Sequence, residues 1–302
     1  MTGRTRGAAG LKVLVIGNPA AGSGRGRERS ARLVRALEAR GHAVEFFATR
    51  AAGDARRHAA EREGSVDRIV AAGGDGTLNE IVNGLADPGA TPIAPLALGT
   101  ANMVAVALGV PRDPEALATV VEGDTLRRID LGQVGATRFL GVVGVGFDAL
   151  VTEEVRAKRH GPLGYHGYAL PILRALRRYR TPRLCVRLDG AREVECGFAI
   201  VAKLPNYGGL FAVTPDARMD SGHLDLCLFR NATIRGLVGI VWPSWRGTLA
   251  ARDDVVVTTA TRIAIESAGD APVSVQVDGD AWGQTPIEIT LQPRVVPMLV
   301  PG

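Results

Sequence analysis

Residues 67–84 read DRIVAAGGDGTLNEIVNG. The apolar run at 69–72 predicts a short buried strand, and apolar residues recur at helical spacing between Leu78 and Leu85. A glycine-rich segment, 73–76, lies between the two. The stretch therefore predicts a strand, a glycine turn and a helix in succession.

Asp75 stands among the glycines of this turn. Glycines allow main-chain N–H groups to approach a bulky anion such as a phosphate, where a Cβ would intrude. A carboxylate beside a phosphate is repulsive unless a metal ion lies between them or the carboxylate accepts a hydrogen bond from an attacking hydroxyl. The turn thus favours a site for nucleotide, metal and acceptor. The alternative is a structural turn in which Asp75 caps the helix.

Two more polar or glycine-rich turns follow predicted strands. NPAAGSGRG, residues 18–26, follows an apolar strand at 11–16, and GTAN, residues 99–102, follows another at 93–98. Strands that alternate with helices predict a three-layer α/β domain with a mainly parallel sheet. Because ligands gather at the carboxyl ends of parallel strands, we expect all three turns to serve one site.

From Leu126 onward short β-type segments dominate the sequence, which predicts a C-terminal β-sandwich-like domain. We place the boundary so that residues 1–128 form the α/β domain and 129–302 the β-rich domain, with the last residues able to return to the first. Helical stretches at 164–179 and 233–249 combine apolar residues with arginines. This combination suits a membrane interface, and packing against the sandwich is the alternative.

The composition narrows the classes of partner. A net charge of +5 and a pI near 9.5 favour anionic partners such as nucleotides or acidic lipid headgroups. No nucleic acid is expected, because no basic stretch is interleaved with stacking aromatics. No apolar run is long enough to predict a membrane-spanning helix. Cys185, Cys196 and Cys227 form no CxxC pair, and we expect them to be buried free thiols of a cytoplasmic protein.

The motifs NPAAGSGRG, GGDGTLNEIVNGL, LGTAN and GVGFDA (144–149) together resemble the bacterial diacylglycerol kinase and related lipid kinase family, which includes sphingosine and ceramide kinases. GGDGT alone is shared with NAD kinases, whereas the four motifs in this order cover nearly the whole chain. The resemblance implies an N-terminal nucleotide domain and a C-terminal lipid domain.

The resemblance also implies the nucleotide site. ATP phosphates would lie on the first turn and on the start of the GGDGT helix, and two threonines would complete the site. The residues implied are Asn18, Pro19, Ala20, Ala21, Gly22, Thr49, Gly74, Asp75, Gly76, Thr77, Leu78, Asn79, Glu80 and Thr100. Asp75 would also hold Mg²⁺ together with the ATP.

Near the C-terminus, residues 278–280 (DGD) resemble the family's Asp-Gly-Glu, whose carboxylates act as general base and its support. Either Asp278 or Asp280 would accept the proton of the attacking hydroxyl. Without the resemblance, a hairpin turn is the better interpretation. Asp148, in GVGFDA, either supports the lipid site or ends a strand.

The family's Asp-Asp-Gly, which binds a structural magnesium ion, appears here as Asp220-Ser221-Gly222. The carboxylate before the glycine is missing, and the loss of a charged ligand weakens divalent-ion binding. We therefore expect this accessory site to be weak or absent, with Asp220 and the carbonyls of Arg218 and His223 as its remnants.

The leading hypothesis is an ATP- and Mg²⁺-dependent lipid kinase that phosphorylates a lipid hydroxyl, most naturally that of diacylglycerol, at the inner face of the membrane. One alternative is a soluble kinase of the NAD kinase type. Another is a protein that senses nucleotide or lipid with little turnover. A homodimer is left open as an alternative to a monomer.

Overall fold

Between Lys12 and Ala107 the strands are each followed by a helix, as the sequence predicts. The structure is a computed structural model, and it describes residues 10–158, 167, 169–207 and 211–302. The chain divides into two compact units. Unit 1 runs to Arg128 and includes Val296–Gly302, and unit 2 covers Ile129–Val295.

The sheet of unit 1 is parallel because each strand returns through a helix. Its strands are β1 (Lys12–Gly17), β2 (Ala43–Ala48), β3 (Arg68–Gly73) and β4 (Ile93–Ala97). They are ordered β2-β1-β3-β4, and Met298 adds a further parallel strand beside Ile93. The centre of the sheet is buried on both faces, which explains the continuous apolar runs in β1 and β3.

Five helices cover this sheet: α1 (Gly26–Ala39), α2 (Asp54–Arg62), α3 (Asp75–Gly84), α4 (Met103–Ala107) and α5 (Pro114–Glu122). Helix α3 buries Leu78, Ile81 and Val82, the apolar positions that predicted it. Helix α5 begins at a proline, and the Asp113 carboxylate accepts hydrogen bonds from the first free N–H groups.

Unit 2 is built mainly from two antiparallel arrays of strands, and β11 and β12 form a separate two-stranded antiparallel sheet. In chain order its strands are β5 (Leu126–Val134, which starts in unit 1), β6 (Thr137–Phe139), β7 (Val142–Val145), β8 (Leu184–Leu188), β9 (Arg192–Cys196), β10 (Phe198–Ala202), β11 (Asn206–Tyr207), β12 (Phe211–Ala212), β13 (Leu224–Phe229), β14 (Val255–Ala260), β15 (Arg262–Ser267), β16 (Ser274–Val277), β17 (Asp280–Gln284) and β18 (Ile287–Leu299, which ends in unit 1). One sheet is ordered β14-β13-β10-β7-β16-β17, and the other contains β18-β15-β8-β9. A shared core holds residues such as Val143, Leu226, Val186 and Ile263 from both sheets. The predicted sandwich-like domain is confirmed.

Within the described residues of unit 2 three α-helices accompany these strands: α6 (Phe147–Lys158), α7 (Ala169–Arg178) and α8 (Ile234–Arg246). Helix α6 was not predicted from the sequence, and Asp148 lies in its first turn rather than at a strand end. The strand β7 stops because Gly146 takes a positive φ of 109°. The predicted helix at 164–179 lies partly outside the described residues. No helix in the described ranges is long and apolar enough to cross a bilayer.

All three cysteines are free thiols. Cys196 and Cys227 are buried, as expected, and burial raises the pKa of each to about 12. Cys185 differs from the expectation because it is partly exposed and donates a hydrogen bond to Glu193.

Candidate functional site

Three turns of unit 1 meet at the carboxyl edge of the parallel sheet. The main-chain N–H of Asn18 donates to Ala72 O at 2.9 Å, which ties the first turn to the end of β3. A Cβ on Gly99 would lie 2.6 Å from Gly74 Cα, so only glycines allow these two backbones to touch. A Cβ on Gly22, which has a φ of +64°, would lie 2.9 Å from Leu98 O.

The first turn presents backbone rather than side chains. Asn18 Oδ1 accepts the N–H of Ala20 at 3.0 Å, and residues 21–24 continue as a short 3₁₀ turn. Thr49 follows β2, and its Oγ1 donates to Gly17 O at 3.3 Å, so it borders the end of β1. Thr100 is exposed next to Gly99. The predicted residues of these segments therefore lie along one edge of the sheet.

Several side chains predicted at the nucleotide site face elsewhere. Leu78 and Thr77 are buried in unit 1. Glu80 Oε2 accepts the N–H of Ala55 in the first turn of α2, at 3.2 Å. Asn79 Oδ1 accepts from the side chain of Asn83 at 3.0 Å. From this part of α3, the exposed contribution to a ligand is thus the main chain near Gly74 and Gly76.

Asp75 links the GGDGT turn to helix α4. Its Oδ2 accepts the N–H of Met103 at 3.0 Å, and its Oδ1 accepts that of Val104 at 3.1 Å. Burial raises the pKa of this carboxyl group, and these two hydrogen bonds counter part of the effect. Each carboxylate oxygen keeps a further lone pair, so Asp75 can cap α4 and still ligate a cation. The structural and the metal-binding interpretations are compatible.

Asn102 is a residue of this site that the sequence analysis did not single out. It takes the left-handed conformation at φ 49°, which asparagine tolerates better than most residues. Its side chain accepts the Gly99 N–H and donates to Gly99 O, both at 2.7 Å. Asn102 therefore fixes the turn that touches Gly74. Its place in the LGTAN motif was the available signal.

In unit 2, Asp278 lies in the turn between β16 and β17. Its carboxylate accepts three main-chain N–H groups, from Leu140 at 2.9 Å, Gly141 at 2.9 Å and Val142 at 2.8 Å. These bonds hold the segment between β6 and β7 against the turn. Asp278 is also left-handed, with a φ of 48°. The hairpin-turn interpretation of 278–280 is correct for the backbone.

Asp280 differs from Asp278, because it is exposed at the first position of β17. Gln276 stabilises the turn that carries Asp280, because its Oε1 accepts the Gly279 N–H at 2.8 Å. Gln276 Nε2 in turn donates to Asp148 Oδ2 at 2.6 Å. The side chain of a buried residue thus positions the turn.

Asp148 completes this buried chain of hydrogen bonds. Its second oxygen accepts the hydroxyl of Tyr207. Burial raises the pKa of Asp148 to about 6, although the bonds from Tyr207 and Gln276 lower it. A Cβ on Gly144 would lie 1.9 Å from Asp148 Oδ2, so the strand beside this carboxylate requires glycine. Asp148 therefore belongs to the support of the 278–280 turn.

The residues implied for an accessory metal lie in the loop before β13. Asp220 Oδ1 lies 3.4 Å from Arg218 Nε, and Ser221 Oγ lies 3.0 Å from Arg218 O. The carbonyl of His223 accepts a hydrogen bond from the ammonium of Lys203 at 2.6 Å. A side chain that sequence analysis did not consider thus enters this loop.

Comparison with known proteins covers both units. Residues 12–134 match the model of the diacylglycerol kinase catalytic domain. Residues 141–300 match the YegS C-terminal NAD kinase beta sandwich-like domain.

Individual relatives match over nearly their whole length. A diacylglycerol kinase of Bacillus subtilis is 30% identical over 297 residues, which cover 96% of each chain. One from Staphylococcus saprophyticus is 28% identical and covers 91% of this chain and 90% of its own. A crystal structure from Bacillus anthracis that carries a diacylglycerol kinase assignment superposes with a TM-score of 0.80 at 26% identity, over 100% of this chain and 99% of that one.

Proposed function

The chain belongs to the diacylglycerol kinase family and is a lipid kinase, and we propose that it transfers the γ-phosphoryl group of ATP to the hydroxyl of diacylglycerol to form phosphatidic acid. The observation that carries this proposal is the full-length match to diacylglycerol kinases. The convergence of the three turns in unit 1 adds physical support. The choice of diacylglycerol over another lipid alcohol rests on the relatives alone.

Unit 1 would bind the nucleotide mainly through its backbone. In the first turn Gly22 would supply its main-chain N–H, because those of Asn18, Ala20 and Ala21 already donate within unit 1 and a proline has none. In the second turn Gly74 and Gly76 would supply theirs. Thr49 and Thr100 would border the same edge. Transfer would then depend on holding the phosphates in place, which is the main contribution that proteins make to phosphoryl transfer.

Asp75 is the residue that would hold Mg²⁺. Its carboxylate fits a hard cation, because burial raises its pKa and an adjacent positive charge would offset the cost of that burial. When bound with ATP, the ion would neutralise phosphate charge. The two amide hydrogen bonds from α4 would keep the carboxylate fixed while it binds.

Asp280 is our candidate for the general base. A base needs an oxygen free to accept the hydroxyl proton, and Asp280 is exposed, whereas Asp278 already accepts three N–H groups. Asp278 would then be a positioning residue that fixes the turn. The aspartate replaces a glutamate of the family pattern, so its arm is one methylene shorter.

A stripe on α8 supports docking on a membrane. Ile234, Val238, Trp242 and Trp245 recur along one face of the helix, and the tryptophans are 61% and 67% exposed. The Arg246 guanidinium lies 5.8 Å from the centre of the Trp242 ring. Tryptophan and arginine together suit the interface of an anionic bilayer. We therefore place the enzyme at the inner face of the cytoplasmic membrane.

The test is a transfer assay with γ-labelled ATP and Mg²⁺. Diacylglycerol, ceramide and sphingosine would be presented in mixed micelles, and NAD in solution. Label in phosphatidic acid is the expected result. Label in another lipid would correct the acceptor, and label in NAD would replace the proposal by the NAD kinase hypothesis. Nucleotide binding without transfer to any acceptor would favour a sensor.

A further inference from the structure

Lys203 is fully buried beside an equally buried carboxylate. Its Nζ donates to Asp130 Oδ2 at 2.8 Å, and both side chains have 0% exposure. The same ammonium donates to Ser221 Oγ at 2.9 Å and to His223 O at 2.6 Å. An ammonium has three N–H donors, so all of them are used.

The oxygens around Lys203 are of the kind that divalent cations collect, a carboxylate, a hydroxyl and a carbonyl. Asp130 also accepts the N–H of Gly222 at 2.8 Å and that of Arg294 at 2.8 Å. It thereby fastens the loop at 218–223 to strand β18. The loop at 218–223 is thus arranged around a cation, as in a metal-binding loop, but the cation is the Lys203 ammonium.

We propose that the Lys203 ammonium is the internal cation of this loop and takes the place of the accessory metal ion that the family resemblance implied. The residues present do not fit a divalent ion, because the His223 carbonyl and the Ser221 hydroxyl both face the ammonium. Unit 2 is then stable without divalent metal. A serine at position 221 adds no further negative charge beside the single positive charge of Lys203.

The choice of lysine also follows from the chemistry. Only three of the 36 basic residues are lysines. A compact ammonium can donate to three oxygens around a point, whereas the planar guanidinium of arginine spreads its donors in a fork.

The first experiment measures metal dependence in the wild-type protein without nucleotide. We expect the melting temperature to be the same in EDTA and in millimolar MgCl₂ or CaCl₂, and the dialysed protein to contain no stoichiometric divalent metal by elemental analysis. A site filled at 100 times its Kd would raise the melting temperature by roughly 5–10 °C. Such a rise, or bound metal, would overturn the proposal. Neither readout depends on kinase activity.

The second experiment removes the ammonium. Lys203→Met keeps the length of the side chain but leaves Asp130 buried without a cation, and we expect a fall in melting temperature on the order of 10 °C. Lys203→Arg keeps the charge and should also be destabilised, because the fork does not match the three oxygens. Lys12→Met, at an exposed lysine, is the matched control. Wild-type stability of Lys203→Met would contradict the proposal.

A double variant tests the exchange directly. Lys203→Ala with Ser221→Asp removes the ammonium and supplies a carboxylate, and we expect its melting temperature to rise with CaCl₂ although that of the wild type does not. An unresponsive double variant that folds would count against the exchange. Should Lys203→Met fail to fold, the wild-type metal measurements still decide.

Discussion

Asp75 in unit 1 and Asp130 in unit 2 are alike in one respect, since each carboxylate accepts two main-chain N–H groups and so joins distant segments. They differ in what balances their charge. Asp130 is fully buried and paired with Lys203 at 2.8 Å. Asp75 is only partly buried, its pKa is raised, and it has no ion pair within the described residues. Both carboxylates are held by main-chain N–H groups. Asp130 in unit 2 is already neutralised by Lys203, whereas Asp75 in unit 1 is able to bind an added cation.

The largest effect on activity is expected at Asp75, whose cation would be a bound metal ion rather than a side chain of the protein. Asp75→Asn should lower kcat on the order of 10³-fold, because a neutral amide cannot balance the charge of a metal ion. Steady-state assays with saturating ATP and lipid would measure this. Asp124→Asn, at a carboxylate that is 95% exposed in the same unit, is the control and should match the wild type. A near-wild-type rate for Asp75→Asn would reduce Asp75 to a cap of α4.

The two aspartates of the turn at 278–280 also differ, because Asp278 is held by main-chain N–H groups and Asp280 is exposed. Asp280→Asn should lower kcat by roughly 10²-fold or more with an unchanged melting temperature, as expected for the loss of a general base. Asp278→Asn should instead lower the free energy of unfolding by about 1–3 kcal/mol, since it disturbs three hydrogen bonds. The opposite pattern, with the rate loss and an unchanged fold at Asp278, would assign the base to Asp278.

Asp148 is a third buried carboxylate, and it has no cation among its bonded partners. Its folded-state pKa of about 6 is above the ordinary value of 3.8, so the folded protein binds this proton more tightly than the unfolded chain. The charged form is therefore destabilising above pH 6, and the penalty is relieved as the pH falls towards 4. Relative to Asp148→Asn, the wild type should gain up to about 3 kcal/mol in free energy of unfolding over this range.

Denaturant melts at several pH values would measure this gain. Asp254→Asn is a control of opposite sign, because the pairing with Arg252 lowers the pKa of Asp254. The wild type should lose stability relative to that variant at low pH. A pH-independent difference between wild type and Asp148→Asn would contradict the raised pKa.

The smallest effect concerns the surface of α8. Trp242→Ala with Trp245→Ala should weaken binding to anionic vesicles about tenfold or more, given roughly 25 cal/mol per Å² of apolar area buried in the interface. Vesicle sedimentation would measure it. Trp282→Ala is the matched control, since Trp282 is 37% exposed and its ring N–H donates to Thr137. Equal losses in both variants would indicate no special role for α8.

Sequence reasoning was most successful where the signal is local. The glycine turns, the α/β alternation and the sandwich-like domain follow from spacing and residue type, because each element forms from neighbours in the chain. Helix α6 was missed because the GVGFDA motif, with Gly146 inside it, looked like the end of a strand.

The partners of the key carboxylates could not be predicted, since they are distant in sequence. Lys203 is 73 residues from Asp130, and a lone lysine after an apolar strand carries no pattern. The N–H groups that Asp278 accepts come from residues about 136–138 positions away. Main-chain donors have no sequence signature at all. Only the fold reveals them.

Strand β18 passes from unit 2 into unit 1, where Val296, Met298 and Leu299 are completely buried. During synthesis one edge of the parallel sheet therefore stays uncovered until residues 296–299, which follow the whole of unit 2, have been made. Unit 1 is translated before unit 2, but its sheet is complete only after unit 2 has been synthesised. Removing residues 296–302 should leave a protein that aggregates, because it exposes the edge of β4, an apolar strand that β18 covers in the structure.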